Sequence, residues 1–115
     1  MNKLVKKKWI KALTNGKYLQ AKNKLRVFDG ILSDGFRYCC LGVLQDIYCK
    51  TKRISWSKAP VNPDGEILPF IIADWAGLKS ESPEVVFNNH IEALATLNDE
   101  GKTFSTIAQL IKEQL

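Results

Sequence analysis

The sequence predicts an α+β fold, with four to five short helices around a small β-sheet or hairpin, in a single compact domain spanning residues 1–115. Three observations predict it. Apolar residues recur at helical spacing in short blocks, and Gly or Pro punctuates the blocks before any becomes long. Two Asp-Gly turn signals, Asp29-Gly30 and Asp34-Gly35, sit around Ile31 and Leu32, which is the pattern of a hairpin. A chain of 115 residues, 45% hydrophobic and with three Trp, has one-domain size and enough apolar mass for one core.

Each element follows in order. Residues 2–15 read as a helix, with Val5, Trp9, Ala12 and Leu13 on one face and Lys3, Lys7, Lys8 and Lys11 opposite. Gly16 is its stop. Residues 17–37 read as irregular or β-like, with a short hairpin about the two turn signals. Residues 39–50 form the clearest amphipathic helix, since Cys40, Val43, Leu44, Ile47 and Tyr48 fall at i, i+3, i+4, i+7 and i+8. Residues 54–56 read as a short strand and 59–66 as a loop carrying two prolines and Asp64-Gly65. Pro69 opens a helix to Trp75, with Gly77 as its cap. Residues 83–89 read as loop with a short strand at 85–87. Residues 91–100 read as a helix capped at Gly101. The last helix starts from Thr103 or Ser105 and buries Phe104, Ile107, Ala108, Ile111 and Leu115.

Charge is the most polarised property of the chain. Nine cations precede the first acid, Asp29; from Asp29 onward there are eight basic and twelve acidic residues. A cationic segment without its own counter-charges calls for an anionic partner. The five lysines between Lys3 and Lys11 have no acids at i,i+4 to relieve their repulsion. They form either a solvated face or a surface for nucleic acid or protein. In the loop that follows, Tyr18 lies among Lys17, Lys22, Lys24 and Arg26, and Arg37-Tyr38 repeats the pairing. Aromatic rings interleaved with cations are a recipe for binding nucleotides or single strands.

Other chemistries find less support. Three cysteines, two of them adjacent, form no disulfide framework and point to a reducing cytosol. With no CxxC pair and only His90, no metal centre is expected. Cys39 or Cys40 at a helix N-terminus beside Arg37 could act as a nucleophile, with His90 as base and Asn98 or Asp99 as orienter. The simpler reading packs Cys40 in the core. No P-loop, GxGxxG or HExxH is present. No apolar run reaches the length of a membrane span, and no signal peptide is read at the N-terminus. No cofactor is expected.

One ordered set of motifs runs through nearly the whole chain. It comprises Trp9-Ile-Lys-Ala-Leu13, Gly16-Lys-Tyr18, Cys39-Cys-Leu-Gly-Val-Leu44 with Asp46, Leu68-Pro69, Trp75-Ala-Gly-Leu78, Leu97-Asn-Asp-Glu-Gly101 and Phe104-Ser-Thr-Ile-Ala108. In this set the chain resembles a family of small proteins of tailed bacteriophages and prophages. The resemblance implies a phage origin and a setting in the cytoplasm of an infected bacterium.

By analogy with small phage proteins that sequester nucleotide immune signals, the expected function is non-enzymatic sequestration of a phosphorylated small molecule, such as a nucleotide immune signal. Lys22, Lys24, Arg26 and Arg37 would meet phosphate, Tyr18 or Trp75 would stack on a base, and Asn98 or Asp99 would read a hydroxyl or base edge. No residue is assigned to catalysis or to a metal. A homo-oligomer is expected, because so short a chain encloses a nucleotide poorly. The alternatives are a module that binds nucleic acid or a host protein through the lysine face, and a cysteine-dependent enzyme.

Overall fold

A computed structural model describes residues 1–30 and 35–115. Its first helix, α1 (Lys3–Thr14), is capped by Asn2, whose side chain accepts the Val5 N–H. Val5, Trp9, Ala12 and Leu13 are buried, and Lys3, Lys7, Lys8 and Lys11 are exposed. Gly16 follows the helix as its stop.

Strands β1 (Arg26–Phe28) and β2 (Phe36–Tyr38) pair antiparallel, with Arg26 opposite Tyr38 and Val27 opposite Arg37. The expected hairpin is therefore present; its Ile31, Leu32 and Asp34 lie outside the described residues. The other edge of β2 is also used. Tyr38 donates to the Leu19 carbonyl at 2.8 Å, and Ala21 donates to the Tyr38 carbonyl at 2.7 Å.

Helix α2 (Cys40–Lys52) is the centre of the molecule. Its ten residues from Cys40 to Cys49 are all buried, Gln45 and Asp46 included. The apolar stripe read from the sequence is correct, but the polar side is covered as well. Gly42 explains one close approach: a Cβ there would lie 1.7 Å from the Leu25 carbonyl oxygen. That carbonyl also accepts the Cys39 N–H at 3.2 Å. Segment 23–26 is thereby held against the start of α2, and any larger residue at Gly42 would push it away.

After α2 the sequence expectation fails locally. Residues 54–56 are not a strand. Arg53 turns left-handed at φ 56°, and Ile54 donates back to the Cys49 carbonyl. The backbone is thus spent on closing the helix, and Trp56–Lys58 forms a 3₁₀ turn. The loop that follows leads to α3 (Phe70–Trp75), preceded by Pro69.

The second correction concerns residues 91–93, read as helix. Strands β3 (Glu84–Phe87) and β4 (His90–Ala93) form a hairpin, and α4 (Leu94–Asp99) starts only afterward. Asn88 and Asn89 hold φ of 51° and 67°. Two successive positive angles make the mirror-image turn whose twist suits a two-residue hairpin, and Asn tolerates them best after Gly. Asn-Asn was the available signal.

Helix α5 (Phe104–Gln114) is capped by the Thr103 hydroxyl and buries Phe104, Ile107, Ala108, Leu110 and Ile111. It packs on α1, while α4 packs on α2 and α5. One core results, with a radius of gyration of 13.0 Å. Among the described residues no helix is long and apolar enough to cross a membrane.

Candidate ligand-binding cleft

The cleft of interest holds about 550 Å³. Segment 23–26 forms one wall and the 3₁₀ turn with the loop at 60–66 forms the other. Gln45 from α2 and Pro69 at the start of α3 also line it. Leu25 donates to the Gly65 carbonyl across the two walls, and within the second wall the Asn62 side chain donates to the Leu68 carbonyl.

Arg26 is the central cation. Its guanidinium lies 3.7 Å from the Phe36 ring centroid and 4.3 Å from that of Trp56. The strand register accounts for this. Arg26, Tyr38 and Phe36 share one face of the hairpin, and Trp56 is brought over that face. Lys24 is exposed on the same cleft wall. Among the described residues, no carboxylate is within ion-pair distance of Arg26 or Lys24. Glu66 also lines the cleft.

Trp56 is itself fixed by a polar cluster. Its indole N–H donates to Asp46 Oδ1 at 2.9 Å, and the Tyr18 hydroxyl donates to Asp46 Oδ2. Lys50 Nζ lies 2.9 Å from the same Oδ2 and 3.0 Å from the Tyr18 oxygen. Burial pushes the Asp46 carboxyl upward, but the donors Tyr18, Trp56 and Lys50 outweigh it and hold the group below its ordinary value. A group lowered by folding stabilises fully above its unfolded value, near ~3.9, and loses that contribution as pH falls. The wild-type protein should therefore lose stability more steeply below about pH 4 than Asp46→Asn. Urea titrations across that range check it.

Asn98 and Asp99 support the cleft from behind. Asn98 is fully buried; its Oδ1 accepts from the Cys40 N–H at 3.1 Å and from Gln20 Nε2 at 2.8 Å. Its Nδ2 donates to the Ala21 carbonyl at 2.8 Å. Asp99 accepts the Asn23 N–H at 2.8 Å, where Asn23 has φ 70°. The Leu97-to-Gly101 motif is thus the anchor of the basic loop.

The sequence-predicted set separates accordingly. Lys24 and Arg26 line the cleft. Arg37 does not converge with them: its Nε pairs with Asp29 at 3.0 Å, and β alternation turns it to the other face from Arg26. Lys22 is exposed outside the cleft lining, near Gly101. Tyr18 packs edge-on against Tyr38 at 5.0 Å with its hydroxyl engaged, and Trp75 packs edge-on against Tyr48 at 5.1 Å. Neither lines the cleft. Both polar atoms of Asn98 and one carboxylate oxygen of Asp99 are spent on internal hydrogen bonds. Sequence reasoning missed Gln45, Trp56 and Glu66. Trp56 alone carried a signal, as an aromatic just before a Pro- and Gly-rich loop.

The cysteines are buried. Burial pushes the Cys39 thiol up to about 11 and the Cys40 thiol well above its ordinary value. Cys39 caps α2 by accepting the Gly42 N–H. His90 is exposed on the second hairpin. The thiolate that a nucleophile needs is thus disfavoured here. A Cys39→Ala, Cys40→Ala double variant should fold and lose roughly 1–2 kcal/mol through small cavities. Chemical denaturation would check it.

Residues 1–115 match the model of a family described as a domain of unknown function, DUF8296. No curated protein and no solved structure matches the chain.

Proposed function

The chain belongs to the DUF8296 family, and we propose that it is a non-enzymatic binding protein for a phosphorylated small molecule of the nucleotide class. The carrying observation is Arg26. A guanidinium lies over two aromatic rings in the lining of a cleft, with no carboxylate in ion-pair distance among the described residues. The planar guanidinium offers several N–H donors and suits an anion with more than one acceptor oxygen, such as phosphate. Lys24 adds a second positive charge. Glu66 repels phosphate and suits a sugar hydroxyl, so the ligand would lie with its phosphates toward Lys24 and Arg26.

In this reading the protein is a phage-encoded sponge that withdraws a nucleotide immune signal in the cytoplasm of the host. The cleft is open on one side. Val61 at its rim and Phe70 and Ile71 beyond Pro69 are exposed apolar groups. A second copy of the chain is the proposed cover, which makes the functional species a homo-oligomer. Mass spectrometry of co-purifying small molecules, read with the native mass, tests this. A sponge returns its ligand intact on denaturation; an altered ligand would overturn the non-enzymatic reading.

Arg26→Ala should weaken binding by about 1.5–3 kcal/mol, the range for hydrogen bonds to charged groups. Replacing Lys3, Lys7 and Lys11 by Gln should change it little, because exposed charges are screened beyond about 8 Å at physiological salt. Calorimetric titration at two salt concentrations measures both. A second reading rests on the groove of about 290 Å³ between Lys3, Lys6, Lys7, Ile10 and Lys112. It would bind nucleic acid or a host protein, with steep salt dependence and with the helix lysines essential.

A further inference from the structure

We infer that the cleft selects an adenine base and that Gln45 is the residue that reads it. The inference rests on the proposed nucleotide site and names the base that site would take.

Gln45 is 5% exposed and lines the cleft from α2. Its side-chain oxygen is the one buried side-chain nitrogen or oxygen among the described residues that has no hydrogen-bond partner. The other buried polar side chains show how unusual this is. Asp46 and Asn98 are equally enclosed, and both have partners on both sides of the carboxylate or amide. Native interiors rarely leave a polar atom unpaired, and such an atom calls for an explanation. No hydrogen bond fixes the Gln45 oxygen, and the last torsion of a Gln side chain is broad and soft. The amide can therefore turn into the cleft without breaking a bond at that oxygen.

Ligand chemistry follows from the groups an amide offers. Its oxygen accepts and its nitrogen donates, side by side. The edge proposed is the N6/N7 edge of adenine, where the N6 amino group donates and N7 accepts. Hypoxanthine has the same shape and the same N7, but an oxygen replaces the amino group. With the purine entering by this N7 edge, two acceptors would face the amide and the Gln45 oxygen would stay unpaired, because the N1–H donor of hypoxanthine lies on the far side of its O6. The surroundings suit a purine. Trp56, Pro60 and Pro69 supply flat or apolar lining, and Arg26 and Lys24 lie on the same wall for the phosphates.

The test is calorimetric titration of the full chain with ADP, IDP and inorganic tripolyphosphate, for wild type and Gln45→Met. Met keeps the length of the side chain and removes both polar atoms. Wild type should bind ADP roughly tenfold or more tighter than IDP. Gln45→Met should bind the two equally while keeping the tripolyphosphate affinity of wild type. Equal wild-type affinities for ADP and IDP, with both weakened by Arg26→Ala, would overturn the adenine inference and leave the phosphate site standing. No binding of any of the three probes would overturn both. The wild-type ratio stands even if Gln45→Met fails to fold.

Discussion

Trp9→Ala is expected to lower the unfolding free energy by about 3–5 kcal/mol, the usual cost of removing a large buried aromatic ring. Trp9 is fully buried between α1 and α2, and its indole N–H donates to the Cys40 carbonyl at 2.9 Å. The substitution therefore leaves a cavity and removes a side-chain bond from α1 to the first turn of α2. Trp9→Phe separates the two effects, since it keeps most of the ring and loses the donor. It should cost less than half as much. Urea denaturation monitored by far-UV circular dichroism measures both. An unchanged midpoint for Trp9→Ala would mean that the ring is not core.

Asn98→Ala should cost about 2–6 kcal/mol, because two buried backbone groups lose their partner at roughly 1–3 kcal/mol each. Those groups are the Cys40 N–H and the Ala21 carbonyl. Gln20 suffers less, since its amide also donates to the Lys102 carbonyl at 2.8 Å. Asn98→Asp is the informative companion. It keeps an acceptor for Cys40 but turns an oxygen toward the Ala21 carbonyl and the Asp99 carboxylate. It should destabilise at least as much as Ala at neutral pH. If either variant unfolds at the wild-type urea concentration, the anchoring role of Asn98 is refuted.

Asn98 also shows what the sequence could reveal. The helices were legible because burial imposes a 3.6-residue period. The stops at Gly16, Gly77 and Gly101 were legible because few residues other than Gly end a helix cheaply. The first hairpin was legible from its turn chemistry. Residues 91–93 were misread because a three-residue apolar alternation running directly into a helix has no period of its own. The site was less legible. Arg26 and Lys24 were found as cations, but Arg37 resembles them in sequence and differs only by strand parity. Asn98 looked like a ligand-reading amide but is spent on internal hydrogen bonds, whereas Gln45, which lines the cleft, was hidden inside an apolar helix. Only tertiary contacts tell a polar group already bonded from one still unbonded.

The close approach at Gly42 has a consequence for how tightly a ligand could be held. The backbone of Leu25 is fixed to α2 by contact and by the Cys39 hydrogen bond, and Arg26 follows directly. Its guanidinium is then clamped by Phe36 and Trp56. An arginine free in solvent gives up about 2 kcal/mol of rotamer entropy when it is immobilised. Here that loss has already occurred on folding. An anion arriving at Arg26 would meet a preorganised donor, so more of the interaction appears as affinity and as a slow dissociation rate. For a protein whose proposed task is to withhold a scarce signal rather than to turn it over, long residence is the property that counts.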